Sequence, residues 1–167
     1  MSLSKAMEGD ERFAKCFVVI TENCKEWILK FVEKRIKNNH NGQSLKDFIS
    51  SSDDLRSKLV VEEALPMTSS SDIDIRALCI VIEFGKLLIH GEEKSVGYQD
   101  NTTGDQIDRI RQIRNTFVHT AVPNLGMSDY DDYINNIKDI GKKFERINGE
   151  ATGTYTKQIE LALTQSK

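Results

Sequence analysis

The sequence predicts an all-α fold: a bundle of four to five antiparallel helices with a long first helix and short extra helices. Three observations carry this. Apolar residues recur at three- and four-residue steps over long stretches. The 167 residues include only 2 prolines and 10 glycines, too few breakers for the turns of a sandwich or barrel. Gly42, Pro66, Gly91, Pro123 and Gly149 fall where helical stretches would end. The length suits one domain, placed at residues 1–149, with 150–167 as a tail that is a short helix or disordered.

The first helix is expected from Glu11 to about Lys37. Phe13, Phe17, Ile20, Cys24, Ile28, Phe31 and Val32 make its apolar stripe. Glu8, Asp10 and Glu11 at its start and Lys34, Arg35 and Lys37 at its end suit the helix dipole, and Asn38 to Gly42 stop it. Ser44 to Leu65 reads as two short helices, the second capped by Ser51, Ser52 or Asp53 and ended by Pro66, with a linker at Met67 to Ser70. Ser71 and Asp74 resemble a capping box for a helix from Ile73 to Ile89 that is apolar on most sides, with Gly91 as its stop. Such a helix is central to a fold and is covered by its neighbours or by a second subunit. After a polar loop, Thr103 caps a helix from Gly104 to about Thr120, terminated by Pro123. Ser128 starts a helix to Ile147 with Tyr130, Tyr133, Ile134, Ile137, Ile140 and Phe144 inward. Asp129, Asp131 and Asp132 lie near its start, and Gly149 ends it. Beyond it the chain is thinly apolar, with a short helix around Ile159 to Leu163 as one outcome.

Composition narrows the function. The net charge of −3 and pI of about 5.7 argue against a domain that coats nucleic acid, so any such contact must be local and modest. Cys16, Cys24 and Cys79 are odd in number, lie in apolar stretches and match no zinc spacing; buried reduced thiols are expected. His40, His90 and His119 show no metal-ligand spacing. No apolar run reaches membrane-spanning length, and the N-terminus has no signal-peptide core, so an intracellular, cytoplasmic setting is expected. Asn101-Thr102-Thr103 is a glycosylation sequon that this setting leaves idle.

One segment carries chemistry. Arg114-Asn115-Thr116-Phe117-Val118-His119 puts a permanent cation, an amide and a titratable imidazole near the end of one helix. On a helical wheel that starts at Ile107 and steps about 100° per residue, Ile107, Ile110, Ile113, Phe117 and Val118 share an arc. Asp108, Gln112, Asn115 and His119 form a polar arc beside it. Arg114 falls at about 340°, inside the apolar arc, where arginines seldom go. Two readings are open. Arg114 fixes helix register through an ion pair with Asp72, Asp74 or Glu83, or it snorkels; His119 is then a surface residue favoured by the helix dipole. Alternatively the three side chains act on a phosphodiester. The guanidinium grips phosphate, the imidazole moves protons near neutral pH, and Asn115 orients His119 or meets a ribose. The same Arg-x4-His spacing recurs at Arg35 to His40, where Arg35 is a helix-end charge and His40 a loop residue. One histidine is a thin apparatus for a reaction needing a base and an acid. A two-fold dimer would supply a second His119 and Arg114.

With these residues in view the chain resembles the HEPN domain family (higher eukaryotes and prokaryotes nucleotide-binding), in the animal form found in relatives of the DAZ-interacting zinc-finger ubiquitin ligase. Three pieces carry the likeness, over residues of about 70 to 147: Asp72-Ile73-Asp74-Ile75-Arg76-Ala77-Leu78 with the apolar run after it, Ile107 to His119, and Ser128-Asp129-Tyr130-Asp131-Asp132-Tyr133 with the helix behind it. The resemblance implies an all-α bundle, frequent dimers and RNA-related work, either cleaving RNA or binding it as a module with a composite site in a homodimer. In catalytic members the motif Arg and His cleave RNA without metal. By position those roles fall on Arg114 and His119, with Asn115 as the polar residue after Arg. RNA, a second copy of the chain and protein partners are therefore the expected partners; DNA, membrane, metal and cofactors are not. The rival expectation is a non-enzymatic dimerisation or protein-interaction module of a larger signalling protein. A nucleotide site has no glycine-rich loop to support it, because Gly85, Gly91, Gly97 and Gly104 are isolated.

Overall fold

In a computed structural model, which describes residues 7–61, 74–95 and 101–164, every regular element is helical. The chain runs through α1 (Gly9–Val18), a π-helical stretch (Val19–Cys24) and α2 (Lys25–Asn39) without a break. There follow α3 (Leu45–Ser50), α4 (Asp53–Val61), α5 (Ile75–Phe84), α6 (Thr103–Val118), α7 (Met127–Asn148) and α8 (Thr154–Thr164). The all-α bundle with a long first helix and short extra helices is what the sequence predicts. Its core is one contiguous cluster of side chains, with Trp27, Ile28, Leu78, Ile110, Ile137 and Phe144 among its enclosed members.

The first helix differs from the expected single α-helix by its π-helical turn. The reason lies in a strict four-residue repeat: Cys16, Ile20, Cys24, Ile28, Val32 and Ile36 are all buried. In an α-helix each such step overshoots the turn by about 40°, so the stripe would wind away from the core. A wider π turn winds less per residue and takes part of that drift back. Thr21 sits in the turn and donates its hydroxyl to the Phe17 carbonyl at 2.8 Å, a back-bond that loosens α-helical geometry.

Helix α5 starts at Asp74, whose Oδ1 accepts the Ala77 N–H at 2.8 Å; Ser71, the other half of the expected box, lies outside the described residues. It ends at Phe84, five residues before the expected Ile89. Lys86 adopts a left-handed φ of 54°, its N–H reaches the Glu83 carbonyl, and the Leu87 N–H reaches that of Ile82 at 3.0 Å, a Schellman cap without glycine. Neighbours within the chain cover the buried face of this apolar helix, with α2, α4 and α6 packed on it.

Helix α6 begins one residue earlier than expected. Thr102, not Thr103, is the cap: its hydroxyl accepts the Asp105 N–H at 3.0 Å while Asp105 accepts the Thr102 N–H at 3.1 Å. Helix α7 matches its expected span closely, with Tyr130, Ile134, Ile137, Ile140 and Phe144 buried and Gly149 at a left-handed φ of 71° as the stop. After Gly149 a turn leads into α8, Thr154–Thr164. Tyr155 and Ile159 of α8 are buried, and the enclosed Glu145 carboxylate of α7 accepts the N–H groups of Gly153 and Tyr155 at 3.0 and 2.8 Å. Part of the expected tail therefore belongs to the core. No helix among the described residues is long and apolar enough to cross a membrane.

Candidate functional site

Packing at the end of α6 decides what the motif presents. Phe117 is buried, with its ring 4.9 Å from those of both Phe13 in α1 and Tyr133 in α7. That anchor leaves Val118 and His119 facing out. Val118, expected in the apolar arc, is 44% exposed because it is the last helical residue, past the anchor. The connection to α7 is tied back to α1: the Leu125 N–H reaches the Gly9 carbonyl at 3.0 Å, and Arg12 donates Nε to the Leu125 carbonyl at 2.6 Å.

The three motif residues form a chain of contacts. Arg114 is half-buried and donates Nη1 to Asn115 Oδ1 at 3.1 Å. The Asn115 carbonyl accepts the backbone N–H of His119 at 3.0 Å. His119 closes the helix as its C-cap, with an exposed ring that makes no hydrogen bond among the described residues. Of the carboxylates that sequence offers to Arg114, Asp74 caps α5 and Glu83 is exposed near the end of α5; Asp72 lies outside the described residues. Among the described residues Arg114 meets no carboxylate.

Its neighbours on α6 are different. Arg109 ties α6 to α7 through Asp139 at 3.0 Å, through Asn136, and to Gln106 at 3.0 Å. Arg111 is paired with Asp108, which also takes Gln112 and Lys94. Burial would raise the Asp108 carboxyl, but these donors hold it below the usual carboxylate range. Arg111 and Arg114 both act on the Cys79 thiol of α5, where burial prevails and pushes the thiol up to about 12. Cys16 and Cys24 are buried free thiols, and burial raises their pKa values too. These are inert thiols.

The other candidates resolve as structure. Arg35 of the repeated spacing grips Glu92 through two bonds, Nη1–Oε1 at 2.6 Å and Nη2–Oε2 at 2.8 Å, and donates to the Leu87 carbonyl at 2.7 Å. It clamps the segment after α5 onto α2. His40 packs on the Phe48 ring at 4.9 Å, and His90 is exposed in the turn before Glu92. No contact among the described residues joins either to the α6 triad. The exposed Asp129, Asp131 and Asp132 make no ion pair with Arg114 or His119.

Sequence reasoning missed Asp105. It is 7% exposed and accepts from the Ser95 hydroxyl, from the Ser95 N–H at 2.8 Å and from the Asn101 N–H at 3.0 Å, besides capping α6. Burial works to raise its pKa, yet the Ser95 hydroxyl and these amides keep it well below the usual range. It holds the loop before α6 to the helix start. A cleft of about 410 Å³ lies elsewhere, lined by Glu22, Glu26, Trp27, Lys30, Glu150 and Tyr155 among others. It shares no residue with α6, and its carboxylates would repel a polyanion. Among the described residues no group of three His, Cys, Asp or Glu side chains is placed to hold a metal ion. Compared with models of known protein families, with curated proteins and with solved structures, the chain matches none.

Proposed function

We propose that Arg114, Asn115 and His119 form the RNA-directed site of a HEPN-type domain that works as a homodimer and cleaves RNA without metal. The observation that carries the reading is Arg114. A half-buried guanidinium whose one hydrogen bond goes to a neutral amide, with no carboxylate among the described residues, is a positive site waiting for an anion. In the reaction the RNA 2′-hydroxyl attacks the adjacent phosphorus, the 5′-oxygen leaves, and a 2′,3′-cyclic phosphate forms. Imidazole takes the hydroxyl proton, a second imidazole gives one to the leaving oxygen, and guanidinium steadies the extra negative charge on phosphorus. One His119 cannot serve both steps at once, so the second comes from the partner copy across a two-fold axis. The acidic balance of the chain suits a weak, salt-sensitive contact over a clinging one.

Two measurements test this. RNA incubated with the protein and excess chelator yields cyclic-phosphate and 5′-hydroxyl ends, and the specific activity rises with chain concentration as dimers form. Ends of another kind, or activity abolished by chelator, overturn the chemistry.

A second reading, a non-enzymatic dimerisation or protein-interaction module, is favoured by the apolar side chains beside the motif. Val118 is 44% and Val122 70% exposed. It predicts a dimer with no cleavage in any condition.

A further inference from the structure

Arg111 stands one helical turn before Arg114 on α6, the helix that packs on α5. The two positions therefore share one side of α6, with Cβ atoms about 5–6 Å apart. That spacing is close to the step between successive phosphates of a single strand. Arg111 has a partner in Asp108, through Nη2–Oδ1 at 2.6 Å and Nε–Oδ1 at 3.2 Å. Asp108 has other partners besides. Gln112 Nε2 donates to its other oxygen at 2.5 Å, and Lys94 Nζ lies 3.3 Å away. The Arg111 side chain is 45% exposed, while that of Asp108 is 14% exposed. Arg111 can thus swing away without stranding a bare carboxylate. Arg109 cannot, since letting go would undo the tie between α6 and α7.

The geometry points to Arg111 as a second phosphate-binding residue: it leaves Asp108 for the phosphodiester next to the one held at Arg114, giving the strand a two-phosphate track along that side of α6. The inference rests on the RNA-directed reading above and adds the direction in which the strand lies. Two carboxylates of α5 oppose it: Asp74 at the helix start and the exposed Glu83 near its end add negative charge on that side.

The test is binding of a fluorescently labelled, fully 2′-O-methylated single strand, which cannot be cleaved, measured by anisotropy over a salt series with the whole chain. Removing one cation from a phosphate of the strand lowers the slope of log K against log salt by about 0.7. Arg111→Ala is expected to lower the slope by that amount, Arg109→Ala to lower the melting temperature and leave the slope alone, and Asp108→Asn to tighten binding by freeing Arg111. A wild-type slope in Arg111→Ala, with binding unchanged in Asp108→Asn, overturns the role of Arg111 and leaves the site at Arg114 standing. No binding by the wild type overturns both.

Discussion

The guanidinium of Arg114 is held by Asn115, Nη1 to Oδ1 at 3.1 Å, and the Asn115 carbonyl in turn holds the N–H of His119 at 3.0 Å. One amide residue thus sets the direction of the cation and closes the helix turn that carries the imidazole. In the proposed site Asn115 is a positioning residue. Phe117, buried between α1 and α7, fixes where all three stand.

That arrangement separates stability from activity at Asn115. Alanine is the better helix former, so Asn115→Ala should stabilise the fold by about 0.5 kcal/mol. Arg114 loses its hydrogen bond to Asn115 Oδ1, and cleavage should fall about tenfold, a cost of about 1.4 kcal/mol in the barrier. Thermal melts and initial rates on the same preparation check both.

Arg114→Met separates the two readings of the intruding arginine. With no carboxylate partner among the described residues to strand, the substitution leaves the melting temperature unchanged or raises it, and activity drops by about 10²–10³. A structural ion pair would instead make the loss of its cation cost about 3 kcal/mol or more. Urea denaturation of the variant decides between them.

Arg35→Ala should do the reverse. It removes a two-pronged bond to Glu92 and a bond to the Leu87 carbonyl, costing about 2 kcal/mol of stability, and cleavage per folded molecule is unchanged. Equal losses of activity in Arg35→Ala and Arg114→Ala would contradict the assignment of the two spacings.

Lys86 occupies a left-handed position that glycine fills without steric cost. Lys86→Gly should stabilise by about 1 kcal/mol and raise the melting temperature by about 2–4 °C. Gly85→Ala should destabilise, because a Cβ there would come within 2.8 Å of the Phe48 ring.

Asp105 sets an acid limit. In the unfolded chain its carboxyl titrates near the usual value of about 3.9; in the fold the Ser95 hydroxyl and the surrounding amides keep it charged well below that. As pH falls, the unfolded chain takes up the proton first. The stability this carboxylate contributes is therefore complete above about pH 5 and drains away as pH drops through 4 and lower. Asp105→Asn should be less stable at pH 7 and lose less between pH 5 and pH 3, as read by urea midpoints.

Much of this was legible because it is local. The wheel of α6 identified Ile107, Ile110, Ile113 and Phe117 as buried, and set Arg114 apart from ordinary surface arginines. The π turn had a signal too, the unbroken four-residue spacing from Cys16 to Ile36, which periodicity alone reads as plain helix. Thr102 and Asp105 spell a capping box one residue before the expected start. The rest depends on distant partners. Glu92 lies 57 residues from Arg35, so no window along the chain joins them. Helix α8 has only two buried side chains, Tyr155 and Ile159, and its start is capped by Glu145 from α7. Nothing in its own sequence displays that support. The early end of α5 depends on Lys86 accepting a backbone shape that lysine seldom adopts.

The most direct test compares wild type, Arg114→Ala and His119→Ala on one end-labelled single-stranded RNA in excess chelator, with each variant shown to be folded. The expected result is cleavage to cyclic-phosphate ends by the wild type and at least a hundredfold less by either variant, an effect of about the size expected for removing an acid–base group or a transition-state cation. No cleavage by the wild type, or cleavage that survives both substitutions, would contradict it.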